Sequence, residues 1–303
     1  LKFLFACTHM WIQRWTTIAG SFLVFAISSL LLKSKAFRMG TWAKMLGQAS
    51  ARSLESESRN ILRTAAANKI PGSLSLALDG TLKQGHDMKV FGFGTVAALA
   101  NRSRYSRFTS SMLSVYGAME AEFDKASPDA APAVHAVWSQ HKDILRRAPA
   151  LQSDLADVSS NVIDSPATER YVAGIRAAGE DDRARGGARL LGHLYCRYFA
   201  DLFGGQMLGY PTQLALALPA ETPRHYIFSF PGAGRREYIE EIYVSLNAAG
   251  KELTEEGFED VVQESLKAFN HNKDVYGEEP YLIDAARGSL NVCTGYMGSL
   301  VKR

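Results

Sequence analysis

Residues 195–206 read YCRYFADLFGGQ, a helical pattern that two adjacent glycines interrupt. Tyr198 and Leu202 recur at the spacing of one helical face, which predicts a buried or amphipathic helix. Gly204 and Gly205 oppose that helix, because a glycine inside a helix costs about 1 kcal/mol relative to alanine. Neither glycine has a Cβ atom, so the backbone is uncovered at both positions. The stretch therefore predicts a bent helix with another group lying close to its backbone.

Helical rather than strand periodicity continues through residues 71–303. From Phe108 to Phe123, apolar side chains recur every three or four residues, as on one face of a helix. Ser165 before Pro166 is typical of a helix N-terminus, because serine caps the free amides and proline fits the first turn. No alternation of period two is sustained, so we expect one all-α domain.

Two stretches of this expected domain, residues 209–237 and 279–303, are rich in glycine and proline. Both residue types oppose regular helices when considered locally. We therefore expect irregular structure in both stretches. No internal repeat or linker divides the domain.

The net charge of +3 conceals a division of charge along the chain. Residues 1–70 hold ten Lys or Arg and two acids, a balance of +8. Residues 71–303 hold the other 24 basic and 29 acidic residues, a balance of −5. The expected helical body is therefore acidic, which argues against a nucleic-acid surface on it.

The leader combines two targeting patterns. Residues 18–32 form an apolar run, shorter than the roughly 20 residues of a membrane span. This run predicts a signal peptide in residues 1–36, with a membrane anchor as the alternative. Residues 37–70 are basic and rich in Ser and Ala, as in a transit peptide. Together they resemble the bipartite leader of algae with complex plastids, which predicts a plastid location, or membrane association through the apolar run.

Several common catalytic patterns are absent from the sequence. None of the seven histidines follows a glutamate at the spacing of di-iron bundles. There is no P-loop, no dinucleotide-binding glycine motif after a predicted strand, and no nucleophile elbow. The three cysteines are far apart and show neither zinc nor disulfide spacing. Nucleotide-binding and hydrolase functions are therefore disfavoured.

The stretch around the glycine pair resembles the distal-helix signature of haem oxygenases, Tyr-x-Arg-Tyr-x-(Gly/Ala)-Asp-x-x-Gly-Gly-Gln. The likeness covers roughly residues 80–278 and includes four further segments. They are KQGH (83–86), YGAMEAEFD (116–124), ERYVAGIR (169–176) and ESLKAFNHNKDVY (264–276). The resemblance implies a single multi-helix domain in which haem is sandwiched between a proximal and a distal helix.

The resemblance also implies which residues surround the haem. His86 would be the proximal iron ligand, because a neutral imidazole binds the iron and leaves the other face open. Ala200, Gly204 and Gly205 would let the distal backbone contact the haem face. Lys83 would pair with a propionate.

Catalytic and apolar positions follow from the same resemblance. Asp201 would organise the water network that supplies protons, with Arg197 and Tyr116 in support. Phe269 and Phe203 would contact the ring.

The implied reaction cleaves haem, which is both substrate and cofactor, to biliverdin, CO and Fe²⁺ with O2 and reducing equivalents. In a plastid the implied electron donor is ferredoxin, with a reductase as the alternative. The family precedent implies a monomer.

Three positions depart from the family pattern. Phe203 stands where the family has a small residue, and Ile239 and Tyr243 stand where it has a Lys and an Arg for the propionates. These departures leave a second interpretation open, a catalytically impaired haem-oxygenase-like protein with a haem-binding, structural or regulatory role. An unrelated membrane-anchored helical protein is the third.

Overall fold

The computed structural model describes residues 65–85, 88–158, 164–230, 232, 234–278 and 280–301. The predicted segment 1–36, most of the predicted segment 37–70, and His86 lie outside the described residues. Within the described part of the chain, no helix is both long enough and apolar enough to cross a membrane.

All regular structure in the described residues is helical, which confirms the all-α prediction. The α-helices are α1 Leu74–Gly85, α2 Met88–Ala98, α3 Arg102–Asp124, α4 Pro132–Leu145, α5 Ala148–Val158, α6 Pro166–Arg185, α7 Leu190–Phe203, α8 Gly209–Leu216, α9 Arg235–Lys251, α10 Glu255–Tyr276 and α11 Tyr281–Val301. Short 3-10 turns occur at Ala67–Lys69, Gly205–Met207 and Arg224–Tyr226.

Local sequence explains where several helices begin. Ser165 caps α6 by accepting a hydrogen bond from the amide of Thr168 at 3.1 Å, and Pro166 occupies the first turn, as predicted. Thr254 caps α10 through the amide of Gly257, also at 3.1 Å. Each cap satisfies an amide that has no partner within its own helix.

Helix α7 lies at the centre of the fold. Twelve of its 14 residues are buried, and only Ala200 and Phe203 are not. At Gly192 its backbone meets α10 directly: a Cβ there would lie 2.6 Å from the amide nitrogen of Ser265 and 2.7 Å from the carbonyl oxygen of Val261. This contact fixes α7 against α10 and so sets which side chains of the two helices face each other.

The prediction of irregular structure in 279–303 is wrong, because α11 occupies most of that stretch. Gly288 of α11 lies against the carbonyl oxygen of Val96 in α2, and Gly295 lies against that of Leu214 in α8. A Cβ at either position would collide with the neighbouring helix. These glycines serve close helix packing rather than chain reversal, which local reasoning about glycine does not distinguish.

The stretch 209–237 is only partly irregular, since it contains α8 and the turn Arg224–Tyr226. Two buried side chains hold this turn to the body. Asp154 accepts hydrogen bonds from two amides of the turn, at 2.8 and 3.0 Å. Arg147 donates to the carbonyl oxygen of Ile227 at 2.8 Å.

Residues 65–70, at the end of the predicted transit-like segment, contact the helical body. Glu240 of α9 accepts hydrogen bonds from the amides of Ala66 at 3.0 Å and Ala67 at 2.8 Å. Ala67 is buried, and the segment brings Asn68 beside α1.

We expect Gly192→Ala to lower the free energy of unfolding by about 1–3 kcal/mol, because overpacking a tight contact costs on that order. Urea denaturation followed by circular dichroism measures the change. Gly117→Ala is the matched control, since a Cβ at that helical position would have no neighbour within 4 Å. The control should be neutral or stabilising by up to about 1 kcal/mol. Equal destabilisation of the two variants would contradict the proposed close contact.

A buried carboxylate at the α7–α10 contact predicts a pH dependence of stability. Burial raises the pKa of Glu264, but hydrogen bonds from His193 at 3.2 Å and Lys267 at 2.8 Å outweigh it and lower the pKa to about 2. A carboxylate with a lowered folded-state pKa stabilises the protein above its ordinary pKa and loses that contribution as pH falls. We expect the contribution of Glu264 to the free energy of unfolding to fall by roughly 2–3 kcal/mol between about pH 5 and pH 2. Glu264→Gln should remove this part of the acid dependence, and an unchanged pH profile would contradict it.

Candidate active site

The sequence predicted a helix that bends at the glycine pair, whereas the structure ends the α-helix there. Helix α7 ends at Phe203, and the amide of Gly204 still donates to the carbonyl oxygen of Ala200 at 2.8 Å. A 3-10 turn begins at Gly205, and α8 follows it. The α-helix therefore stops at the glycines instead of continuing through them.

Three of the predicted haem-contact residues share one accessible face at the end of α7. Ala200 is exposed, and Phe203 and Gly204 are half-buried. Spacings of three and four residues place all three side by side on the helix. A Cβ at Gly204 would meet only the carbonyl oxygen of Ala200, at 3.3 Å. The space in front of Gly204 is therefore open, and a planar group could contact the backbone there.

Gly205 has a different neighbour. A Cβ at this position would lie 2.9 Å from Cδ1 of Tyr226 and 3.3 Å from Oδ1 of Asp201. The ring of Tyr226, held in its turn by Asp154 and Arg147, is thus the group that lies against this glycine. Sequence reasoning missed Tyr226, because it lies in a stretch without helical periodicity.

The three predicted catalytic residues form one buried network behind this face. Tyr116 Oη donates a short hydrogen bond to Asp201 Oδ2. Arg197 Nη2 donates to Tyr116 Oη at 3.1 Å and lies 3.6 Å from Asp201 Oδ1. Burial raises the pKa of Tyr116 well above its usual range, with Asp201 adding to the effect and Arg197 opposing it. The phenol therefore stays protonated and keeps donating to the carboxylate.

Asn272 and Tyr171 extend the network to two further helices. Arg197 Nη1 donates to Asn272 Oδ1 at 3.0 Å, and Asn272 Nδ2 donates to Tyr171 Oη at 3.0 Å. Both side chains are buried. Neither was assigned a role from the sequence. The sequence contains one indication of the role of Asn272, because its amide side chain lies on the apolar face of the segment ESLKAFNHNKDVY.

On the proximal side, α1 ends at Gly85, directly before His86. A Cβ at Gly85 would lie 2.6 Å from Cβ of Phe269, so α10 touches the end of α1 there. Lys83 is exposed in the last turn of α1 and takes no part in the buried network. His86 lies outside the described residues, so its role stays a prediction.

On the side of α7 that faces α9, two tyrosines and an aspartate form a second group of buried polar side chains. Ile239 and Tyr243 are both buried in α9. Tyr243 Oη donates to Asp79 Oδ1 of α1 at 3.1 Å, and Tyr195 Oη of α7 donates to the same oxygen at 2.6 Å. At Tyr243, phenols and a carboxylate stand where the resemblance implies cations.

Removing Arg197 from the network of Tyr116, Asp201 and Asn272 should destabilise the fold. We expect Arg197→Met to lower the free energy of unfolding by about 3–5 kcal/mol, because it leaves Asp201 buried without its cation. Arg170→Met is the control, since Arg170 and Asp274 are both more than half exposed and lie 3.9 Å apart. That pair should contribute about 0–1 kcal/mol. Chemical denaturation of both variants measures the difference, and similar losses would argue against a buried ion pair at Arg197.

Comparison with known proteins finds relatives over most of the helical body. A family model described as "Heme oxygenase" matches residues 87–278, so it begins directly after His86. A heme oxygenase of Takifugu rubripes is 29% identical over 197 residues, which cover 63% of this chain and 67% of the relative. Human heme oxygenase 1 is 30% identical over 226 residues, 70% of this chain and 73% of the relative.

Solved structures show the same fold. Heme oxygenase-2 from Synechocystis sp. PCC 6803, in complex with heme and NO, superposes with a TM-score of 0.60 at 24% identity, covering 74% of this chain and 91% of that chain. Heme oxygenase-1 from the same cyanobacterium, in complex with heme, gives 0.57 at 25% identity, covering 75% and 99%. The family model spans most of the described helices, and the residues of the buried network lie within its range. The chain therefore belongs to the haem oxygenase family.

Proposed function

We propose that this chain is a haem oxygenase that converts haem to biliverdin, CO and Fe²⁺ with O2 and reducing equivalents. The observation that carries the proposal is the buried network of Tyr116, Asp201 and Arg197 directly behind the accessible face of Ala200 and Gly204. The relatives named heme oxygenase, and the neighbours solved with heme, support haem as the ligand.

Residues at the end of α1, on α7 and on α10 would hold the haem. Ala200 and Gly204 would let the ring approach the backbone at these two positions, because neither side chain is larger than a methyl group, and Phe203 would lie beside the ring on the same face. Phe269 would contact the ring from α10, and Lys83 would pair with a propionate. His86, one residue beyond α1, is the proposed iron ligand. Bound haem would supply the iron at which O2 is activated.

Asp201 is the proposed proton-handling residue. Oδ2 of Asp201 accepts the hydrogen bond from Tyr116. Oδ1 of Asp201 lies near the glycine turn, 3.3 Å from the position that a Cβ on Gly205 would take. Because Tyr116 and Arg197 hold the carboxylate in one orientation, a water bonded to Oδ1 would also be oriented. Through such a water, Asp201 would pass protons towards the open face of α7.

We further propose ferredoxin as the electron donor, with a reductase as the alternative, and the plastid as the location. Both proposals rest on residues 1–70 and their resemblance to a bipartite leader. Retention of the apolar run 18–32 would instead attach the protein to a membrane.

A second candidate function is a haem-oxygenase fold that holds haem weakly or not at all and has a structural or regulatory role. The observation that favours it is the buried carboxylate of Asp79 beside Tyr243. Haem brings two carboxylates of its own, and like charges repel more strongly in a protein interior than in water.

Hemin added to the full chain, followed by ferredoxin, its reductase and NADPH, separates the two functions. Conversion of the Soret absorbance into a biliverdin band is the result expected of a haem oxygenase. A stable Soret band without turnover, or no Soret band, would support the second function. His86→Ala should change the spectrum of the bound haem, since the iron would lose its proposed ligand.

Asp201→Asn should retain hemin binding within about twofold and lose at least about tenfold of the rate of biliverdin formation, because an amide cannot relay a proton as a carboxylate does. Absorbance titration measures binding, and the biliverdin band measures turnover. Asp129→Asn, at an exposed position, is the control and should change neither quantity. Full biliverdin formation by Asp201→Asn would rule out the role proposed for this carboxylate.

A further inference from the structure

The phenol ring of Tyr226 is held in contact with the glycine turn after α7. A Cβ on Gly205 would lie 2.9 Å from Cδ1 and 3.2 Å from Cε1 of Tyr226, so the edge of the ring lies directly against this glycine. The imidazole of His225 packs on the same ring, with centroids 3.9 Å apart. Both side chains are buried. The ring therefore has close neighbours that restrict its movement away from Gly205.

A buried carboxylate of α5 fixes the histidine. Asp154 Oδ2 accepts a hydrogen bond from the amide of His225 at 3.0 Å and another from His225 Nδ1 at 2.7 Å. Asp154 Oδ1 accepts from the amide of Arg224 at 2.8 Å. Burial by itself raises the pKa of Asp154, but these donors outweigh it and lower the pKa below its usual range. The carboxylate thus stays ionised and holds the turn Arg224–Tyr226 in one position on α5.

A buried cation fixes the chain directly after Tyr226. Arg147 Nη1 donates to the carbonyl oxygen of Ile227 at 2.8 Å, and the guanidinium lies 4.0 Å from the ring centroid of Phe228. The side chain of Arg147 donates to further main-chain carbonyl oxygens just before it in the chain. Two buried side chains of opposite charge therefore hold the backbone on both sides of Tyr226, which is costly unless every one of these contacts is made.

Tyr226 and Asp201 lie on either side of the space that Gly205 leaves free. Asp201 Oδ1 is 3.3 Å from the position that a Cβ on Gly205 would take, a point that the ring edge of Tyr226 also approaches. The hydrogen bond from Tyr116 reaches the other oxygen, Oδ2. A water molecule needs two or more polar partners, and the carbon atoms of a ring edge supply none. A water bonded to Oδ1 is therefore excluded from the side of Tyr226.

We propose that Tyr226 is a positioning residue for Asp201 and acts through the glycine turn. Its ring supports the turn at Gly205 and excludes water from one side of Oδ1, so that the carboxylate binds water towards the accessible face of α7. The part that this plays in haem cleavage rests on the proposed function. The ring carries the role and the hydroxyl does not, because ring carbon atoms make the contact with Gly205.

The first test measures the contact in the full chain without haem. Gly205→Ala should lower the melting temperature by at least about 3 °C, because the added Cβ overlaps the ring. In a Tyr226→Ala background the same change should cost less than about half as much, because the overlap is gone. Gly209→Ala is the matched control, since a Cβ there would have no neighbour within 4 Å, and its effect should be the same in both backgrounds. Equal losses for Gly205→Ala in the two backgrounds would overturn the proposal, and Tyr226→Leu serves if the alanine variant does not fold.

The second test measures whether Tyr226 acts through Asp201. Tyr226→Phe should form biliverdin within about twofold of the wild-type rate, whereas Tyr226→Ala should bind hemin within about threefold and lose at least about tenfold of the rate. In an Asp201→Asn background, Tyr226→Ala should change the remaining rate by less than about twofold, because the carboxylate that the ring positions is already absent. Additive losses, or an equal loss in Tyr226→Phe, would overturn the proposed role.

Ile227→Ala is the control for the second test, because the side chain of Ile227 is 54% exposed in the same stretch of chain. It should leave hemin binding and the rate unchanged, and a tenfold loss there would show that any change in this stretch has the effect assigned to Tyr226. The two tests also fail separately. Absence of biliverdin from the wild type would count against the proposed function, whereas the melting temperatures would still decide whether Tyr226 supports the glycine turn.

Discussion

The buried pair of Arg197 and Asp201 constrains the whole arrangement around α7. Both charged groups are buried, so folding is favourable only if other helices supply partners for both. Tyr116 comes from α3, and Asn272 comes from α10 and connects to Tyr171 of α6. Three helices must therefore meet α7 in one relative position. The same requirement orients Asp201 towards the glycine turn, where the proposed chemistry takes place.

Helix α7 thus lies between two buried carboxylates that are held in different ways. Asp201 has a guanidinium within 3.6 Å and a short hydrogen bond from a phenol, so its position is strongly determined. Asp79 has two phenols and an amide but no charged donor. Separating a buried carboxylate from its cation is costly, whereas hydrogen bonds from neutral donors are individually weaker than charge-assisted ones. Asp201, the proposed proton-handling group, is therefore the more strongly held of the two carboxylates.

Among the described residues, three of the uses of glycine cannot be distinguished from local sequence. Gly192 and Gly288 allow helix backbones to touch, Gly204 leaves an accessible face without a Cβ, and Gly205 makes room for Tyr226. Glycine content alone predicted irregular structure in 279–303, although the close packing of Gly288 requires a regular helix there. Because glycine lowers helix propensity wherever it occurs, only the neighbouring helix shows which use applies.

The helical class, the disruption of the helix at the glycine pair and the grouping of Arg197 with Asp201 all follow from the sequence alone. The physical reason is that helical periodicity places residues four apart on one face, and capping and glycine act over a single turn. The partners Asn272 and Tyr226, and the carboxylate of Asp79 beside Tyr195 and Tyr243, could not be predicted in this way. Each is a contact between residues far apart in the chain, which no local pattern encodes. Only the packing of α1, α9 and α10 around α7 decided which buried donors met which carboxylate.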